Sequence, residues 1–267
     1  MFRTRLLSGI LLVLVLIGII LPGGWVTTVA FAVVSMIGVY ELYRVFQIQS
    51  TALALVGYLA TAVLYLQIQC HLLQDGIWVL VDCLILLLAV YVFSYPKFVA
   101  HQVLESFFGL CYVALLLSFI CQIRQMEQGL FYVWLIFLTA WGCDTLAYCV
   151  GKLFGKHKLA PVLSPKKSVE GSVGGVVGAG LLGAIYGYVL YSKFGFAGTS
   201  IWYFAIICAL GGVVSQVGDL AASAIKRNYD IKDYGTLIPG HGGILDRFDS
   251  VIITAPLIYY LILVWFQ

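Results

Sequence analysis

The length, composition and charge of this chain indicate an integral membrane protein. It has 267 residues, of which 62% are hydrophobic and only 10% charged, and its mean hydropathy is +1.03. These values exclude an ordinary soluble domain. The net charge of +3 says little by itself, and no nucleic-acid partner is expected. The seven cysteines lie in or beside apolar runs without Cys-x-x-Cys spacing, so we interpret them as small hydrophobic residues.

Nine apolar runs follow one another along the chain, each near the ~20 residues that a helix needs to cross a membrane. The runs cover about 6–21, 25–43, 53–73, 77–95, 103–123, 129–150, 173–191, 200–222 and 251–266. We therefore predict an all-α, polytopic transmembrane protein with about nine spans. Because the spans use almost every residue, we expect a single integral-membrane domain over residues 1–267.

The basic residues predict which side of the membrane each gap faces. Cytoplasmic loops are enriched in Lys and Arg, and most basic residues here fall in alternate gaps between the runs. The opposite gaps carry only Arg124 and Lys193. We predict a cytoplasmic N-terminus, and two polar loops, 151–171 and 222–249, on the cytoplasmic side of the inner cell membrane.

Acidic residues in the apolar runs need individual explanation, because an ionised Asp at a helix centre costs roughly 2.5–3.5 kcal/mol on insertion scales. Asp82 and Glu105 lie near run ends and are interpreted as local helix-end features. Asp144 lies about 22 Å along its run. Pairing with one lysine is the simpler interpretation of Asp144. A charge this deep, aimed at the cytoplasm, instead indicates a functional site.

The loop 151–171 reads GKLFGKHKLAPVLSPKKSVEG and contains five lysines among turn-forming residues. Such a composition presents ammonium groups to phosphates. It is also typical of a topology determinant or of a contact with anionic lipids. A glycine-rich run follows, from Gly174 to Gly187, and glycines of this kind allow helices to pack closely in a membrane.

A second polar segment runs from the end of the eighth run to the start of the ninth. Asp219 lies about 28 Å along the eighth run, near the cytoplasmic surface. If the helix continues, Ser223, Lys226 and Arg227 share the face of Asp219. A glycine-rich turn at 238–243 precedes two carboxylates spaced by three residues, which a helix would place on one face.

Carboxylates, lysines and glycine turns at one membrane surface favour one kind of chemistry. Carboxylate oxygens bind Mg²⁺, Mg²⁺ binds phosphate oxygens, and Lys and Arg neutralise the remaining charge. The pattern predicts phosphoryl or nucleotidyl transfer on a polyphosphate at the level of the lipid headgroups. The chain has no Gly-x-x-x-x-Gly-Lys-Ser/Thr loop, so this is not a Walker-type site.

Two polar blocks resemble a known family. Residues 223–227, Lys232-Asp233 and 239–249, which read SAIKR, KD and PGHGGILDRFD, are similar to the signature of phosphatidate cytidylyltransferases, also called CDP-diacylglycerol synthases. The upstream residues 144–148, Gly151, 154–161, 164–168 and 170–171 follow the family's other block. The family usually has Thr-Trp where this chain has Ser168-Val169. The resemblance assigns 129–267 to a catalytic half and 1–128 to N-terminal scaffold helices.

The resemblance implies an enzyme that transfers the CMP moiety of CTP to phosphatidic acid, giving CDP-diacylglycerol and pyrophosphate. It implies Mg²⁺ as the cofactor and leaves a second metal ion open. It also implies contact with membrane lipids and assembly as a homodimer. The implied metal ligands are Asp219 and Asp246, with Asp144 and Asp249 as further carboxylates. Phosphates of CTP or lipid would be held by Lys226, Arg227, Lys166 and Lys167, and would accept hydrogen bonds from Ser223, Ser164 and Ser168. Lys232 and Arg247 are also assigned to substrate binding. His241 would orient pyrophosphate or brace its turn.

Three alternatives to this enzyme remain open at this point. A transporter or channel would use Asp144 and Asp219 as ion ligands, although the charges gather at one face and no inverted repeat is visible. Another CTP-dependent enzyme could use a polyprenyl, dolichol-like or archaeal ether-lipid acceptor, because tail selectivity resides in apolar grooves. A non-catalytic membrane scaffold would not need this density of charge.

Overall fold

The chain folds almost entirely into helices. The structure, a computed structural model, describes residues 2–71, 76–196, 201–238 and 242–266, with the backbone alone for residues 2–8. Within these ranges the elements are α1 Phe2–Ile20, α2 Gly24–Val45, α3 Ala52–Cys70, α4 Ile77–Phe93, α5 Ala100–Gly109, a π-helical turn Leu110–Leu115, α6 Leu116–Gln125, α7 Gly129–Phe154, β1 Lys158–Ala160, β2 Ser164–Ser168, α8 Val169–Phe194, α9 Ile201–Asn228 and α10 Leu245–Phe266. The prediction of an all-α polytopic protein is confirmed.

Seven helical segments of the described residues are long and apolar enough to cross a membrane. They are Gly24–Val45, Ala52–Cys70, Ala100–Gln125, Gly129–Phe154, Val169–Phe194, Ile201–Asn228 and Leu245–Phe266. Gly9–Ile20 and Ile77–Phe93 are apolar but shorter. The predicted count of about nine spans therefore stays a prediction, since seven of the described segments meet the length needed to cross.

The first of two compact units comprises Met1–Met126 and Asp233–Arg247. Its packing centres on Tyr43 of α2, which is completely buried. The Tyr43 hydroxyl donates to the carbonyl oxygen of Ser106 at 2.6 Å. The side chain lies against Gly57 and Gly109, where a Cβ atom would come within 2.0 Å of its hydroxyl oxygen and within 2.3 Å of its ring. Two glycines on neighbouring helices therefore make room for one large side chain.

The second unit comprises Glu127–Lys232 and Phe248–Gln267. Its helices α7, α8 and α9 approach closely through the glycines of α8. A Cβ atom at Gly175 would lie 2.8 Å from the carbonyl oxygen of Cys143, and one at Gly183 would lie 2.4 Å from that of Phe204. The close packing predicted from the glycine-rich run is confirmed.

Both predicted polar loops are shorter than expected because the helices beside them continue. Helix α7 extends through Lys152 to Phe154, and α9 extends through Lys226 to Asn228. Cations at a helix C-terminus interact favourably with the helix dipole, so basic residues prolong these ends rather than stop them. Helix α10 begins at Leu245, with Asp246 in its first turn.

The first polar loop is also partly ordered as a β-hairpin, which the sequence analysis did not predict. Strands β1 and β2 pair antiparallel, with Lys158 opposite Ser168 and Ala160 opposite Ser164. Residues 161–163 form its tip, where the Val162 side chain is exposed. The hairpin ends directly at helix α8, so the lysines are held on a short folded element.

Candidate active site

An ion pair joins the β-hairpin to helix α9 within the second unit. Lys167 of strand β2 pairs through its Nζ atom with Oδ2 of Asp219 in helix α9. The two side chains are 25% and 24% exposed, and the Nζ atom itself is buried. Because partly buried charges are screened less than surface charges, salt weakens the attraction between Lys167 and Asp219 less than that of a surface ion pair.

Further carboxylates lie beside this ion pair. Asp249 of α10 interacts electrostatically with Asp219, Asp144 and Lys226. Ser250 connects two of the carboxylates, since its hydroxyl donates to Oδ2 of Asp144 at 3.1 Å and its backbone N–H donates to Oδ1 of Asp249 at 2.9 Å. Several negative charges at short range are unfavourable unless cations or protons offset them. The group is therefore suited to attract positive charge.

The backbone of α9 allows helix α10 to approach the carboxylates. A Cβ atom at Gly218 would lie only 2.8 Å from the carbonyl oxygen of Asp249, so glycine permits close contact there. One turn after Asp219, the Ser223 hydroxyl donates to its Oδ1 atom at 3.4 Å. Lys226 is partly buried on the same helix, whereas Arg227 is exposed. Of the predicted residues on α9, three thus lie together and Arg227 projects to solvent.

The hairpin separates the two lysines that the sequence analysis assigned to phosphate binding. Successive side chains of a strand point to opposite faces. Accordingly Lys166 is exposed, whereas Lys167 turns inward to Asp219. Ser164 is partly buried at the start of the strand. The structure thus brings only Lys167 of this pair to the carboxylates.

Ser168 and Glu170 brace the junction between the hairpin and α8. The Ser168 hydroxyl caps the helix, accepting a hydrogen bond from the backbone N–H of Gly171 at 3.2 Å. Glu170 accepts hydrogen bonds from the backbone N–H groups of Lys156 and His157 and lies 2.6 Å from Nδ1 of His157. Ser168, which was predicted to donate a hydrogen bond to a phosphate, caps helix α8 in this structure.

A second cluster lies within the first unit, at the start of α10. Asp246 is 5% exposed, and its Oδ2 atom accepts hydrogen bonds from the backbone N–H groups of Tyr234 at 2.8 Å and Gly243 at 2.9 Å. Glu41 of α2 is 4% exposed and accepts from the N–H groups of Ile244 at 3.0 Å and Leu245 at 2.9 Å. Two buried carboxylates thus satisfy four backbone N–H groups around the start of one helix.

Three further residues of the predicted site are Lys232, Arg247 and His241. Lys232 is exposed, and Arg247 is partly buried in the first turn of α10. His241 lies outside the described residues. Asp246 belongs to the first unit and Asp249 to the second.

Sequence reasoning missed Glu41 and Ser250 as polar partners in these clusters. Glu41 carried a usable signal, because it is an acidic residue in an apolar run, as Asp144 is. Its partners are more than 200 residues away along the chain, so no local pattern could reveal them. Ser250 carried no signal of its own, since a serine at a helix start is common.

The donor set of the second unit is suited to a hard cation. No group of three or more His, Cys, Asp or Glu side chains arranged to hold a metal is found among the described residues. Mg²⁺ is commonly bound by one or two carboxylates, with water and substrate phosphates completing the coordination. Carboxylate oxygens such as those of Asp219 and Asp249 are the ligands that this ion takes, so the residues present fit it.

Comparisons with known proteins cover nearly the entire chain. The sequence model of the cytidylyltransferase family matches residues 3–265. The chain is similar to the phosphatidate cytidylyltransferase of Bacillus subtilis (strain 168), with 33% identity over 266 residues, covering 97% of each chain. It is also 32% identical to the protein of that name from Staphylococcus saprophyticus over 270 residues, covering 98% of this chain and 99% of that protein.

Proposed function

Because the chain belongs to the cytidylyltransferase family, we propose that it transfers the CMP moiety of CTP to phosphatidic acid. The products are CDP-diacylglycerol and pyrophosphate. The observation that carries this proposal is the ion pair of Lys167 and Asp219 beside the carboxylates of Asp144 and Asp249. Interleaved ammonium and carboxylate groups can hold a polyphosphate and its counterion at one place.

The reaction needs no nucleophilic side chain. A phosphate oxygen of phosphatidic acid, already negatively charged, forms a bond to the α-phosphorus of CTP. The bond from that phosphorus to the oxygen bridging to the β-phosphate breaks, and pyrophosphate leaves with the electron pair. The protein then contributes positioning and charge neutralisation, as in other transfers at phosphorus. Lys167 and Lys226 are the described cationic residues that lie beside the carboxylates.

Mg²⁺ is the cofactor we propose. Asp219 is the first candidate ligand, with Asp144 and Asp249 as neighbouring carboxylates, and the assignment of Asp246 rests on the sequence resemblance alone. The ion would neutralise phosphate charge when bound. Before binding, Lys167 supplies the positive charge next to Asp219, and this ammonium is then available to a phosphate oxygen.

The topology that we propose has nine spans and a cytoplasmic N-terminus in the inner cell membrane. The two shorter apolar helices, Gly9–Ile20 and Ile77–Phe93, would then cross together with the seven longer segments. The distribution of Lys and Arg supports this orientation. Cysteine-modification with a membrane-impermeant reagent tests it, using a cysteine introduced at exposed Lys166 in a variant whose seven native cysteines are replaced. Labelling of intact cells at that position would contradict a cytoplasmic site.

We also propose a homodimer, on the family resemblance. Native mass spectrometry of the detergent-solubilised protein, with bound detergent removed in the gas phase, measures this directly. A mass of one chain alone at working concentration would contradict it.

The activity is tested by transfer of label from cytidine-labelled CTP into organic-extractable lipid. The purified protein is assayed with phosphatidic acid and Mg²⁺, and each component is omitted in turn. Labelled lipid that requires all three supports the proposal. CTP binding without lipid product would point to a different phosphate acceptor. The absence of both CTP binding and lipid product would overturn the proposal.

A further inference from the structure

We propose that Glu41 and Arg44 of helix α2, here called the α2 clamp, are positioning residues for the transfer reaction. They hold the two described ends of the polar segment, 233–238 and 242–247, and so fix the orientation of Asp246 at the start of α10. The inference rests on the proposed function for its reaction, and on contacts within the first unit for its geometry.

Glu41 is a buried acidic residue in the apolar helix α2. A carboxylate that is 4% exposed in an apolar helix is costly unless hydrogen bonds compensate it. The bonds that it accepts come from the N–H groups of Ile244 and Leu245, far away in sequence. The first N–H groups of a helix lack partners within the helix. The carboxylate of Glu41 therefore gains two hydrogen bonds, and the N–H groups at the start of α10 gain the acceptor that the helix does not supply.

The surroundings of Glu41 are shaped to its carboxylate. A Cβ atom at Gly235 would lie 2.2 Å from Oε1 of Glu41, and one at Gly243 would lie 2.4 Å from the same atom. Any larger residue at either position would displace the carboxylate. Two neighbouring glycines, one from each described end of the polar segment, thus leave room for the carboxylate of a side chain from another helix.

Arg44 extends the clamp by one helical turn. Its Nη2 atom donates to the carbonyl oxygen of Tyr234 at 2.5 Å. The N–H group of Tyr234 donates in turn to Oδ2 of Asp246. A chain of contacts therefore leads from Arg44 through Tyr234 to Asp246, while Glu41 holds the residues immediately before it. Both clamp residues act on Asp246 through the backbone, which makes them positioning residues.

The effect on the reaction follows from this chain of contacts. In Glu41→Gln the side-chain NH₂ group would face one of two backbone N–H donors, so only one of the two hydrogen bonds could persist. The start of α10 would loosen without any change in the residues assigned to substrate. Loss of a group that orients a ligand residue typically lowers activity or metal affinity about 10–100-fold.

The test compares three variants of the full-length protein in detergent with phosphatidic acid. Glu41→Gln and Arg44→Ala weaken the α2 clamp. Tyr43→Phe is the matched control, because Tyr43 is buried on the same helix but bonds to Ser106 and not to the polar segment. The readouts are kcat, KM for CTP, and the rate of trypsin cleavage after the exposed Lys232 relative to cleavage after Lys158 of the hairpin.

We expect Glu41→Gln and Arg44→Ala to lower kcat by about tenfold or more with KM for CTP unchanged, and to accelerate cleavage after Lys232. Tyr43→Phe should change neither. The inference is overturned if both clamp variants keep the wild-type kcat, whatever their cleavage rate, or if Tyr43→Phe reproduces their effects. If Glu41→Gln does not fold, the kcat of Arg44→Ala alone decides whether the inference holds. If the wild-type protein is inactive, the proposed reaction is wrong. The relative rate of cleavage after Lys232 in the variants would then still show whether the α2 clamp holds the polar segment.

Discussion

Lys167 and Asp219 form an ion pair although they are 52 residues apart in sequence, one on strand β2 and the other on helix α9. The pairing couples the hairpin to the acidic residues of the second unit. Because a positive charge already sits beside Asp219, a metal ion or a phosphate arriving there must rearrange this contact. Asp219 and Lys167 are thus the central residues of the candidate site.

Replacing Asp219 tests that centre directly. Asp219→Asn removes the charge that attracts the cation but preserves size, and we expect kcat to fall at least about 100-fold. The control is Asp82→Asn, which neutralises an exposed acidic residue of α4. Both variants should elute from a sizing column like the wild type. Near-normal activity in Asp219→Asn would remove this residue from the metal site.

Lys226 should contribute to phosphate binding. It lies within electrostatic range of Asp249 and is partly buried, so its charge is screened less than that of a surface lysine. Lys226→Ala should raise KM for CTP or for phosphatidic acid by about tenfold, the loss of one charge-assisted hydrogen bond. Lys193→Ala, at the exposed end of α8, serves as the control. Unchanged dependence on both substrates would refute the role.

The glycines of α8 predict a contrast in stability. Gly183→Ala places a Cβ atom 2.4 Å from the Phe204 carbonyl oxygen, and overpacking of this kind costs about 1–3 kcal/mol. Gly180→Ala meets neighbours only at 3.4 Å and gains helix propensity, so it should be neutral or slightly stabilising. Thermal unfolding in detergent measures both. Equal midpoints for the two variants would contradict the packing described for α8.

Glu170 should control the order of the hairpin. Glu170→Gln weakens the contacts to His157 and to the backbone of Lys156, so trypsin should cleave faster after Lys156 and Lys158. Glu127→Gln, an exposed acidic residue before α7, is the control. Fragments are identified by mass spectrometry. If the two variants are cleaved at the same rate, Glu170 does not hold the hairpin.

The helices could be predicted from the sequence because each apolar run is long enough to satisfy its own backbone inside a membrane. The ends of those helices could not be placed as well. Lys152 and Lys226 look like loop residues, yet both lie in the last turn of a helix, where a cation is favourable. The hairpin was missed because Pro165 and two adjacent lysines are unusual in a strand.

The residues of the site could be chosen from the sequence more easily than their partners. Spacing on α9 indicated that Ser223 lies beside Asp219, and the structure contains that contact. Strand alternation, which separates Lys166 from Lys167, required knowledge of the hairpin. The position of Glu41 depends on folding two distant segments together, and only tertiary structure contains this information.

The central claim is that the α-phosphorus of CTP is transferred to a lipid phosphate, and parallel assays with α-labelled and γ-labelled CTP test it most directly. Each assay contains the purified protein, phosphatidic acid and Mg²⁺, and the organic and aqueous phases are counted separately. Our account predicts that the α-label enters the organic phase while the γ-label stays in the aqueous phase as pyrophosphate. Label from the γ-position in lipid, or no label from either position, would contradict it.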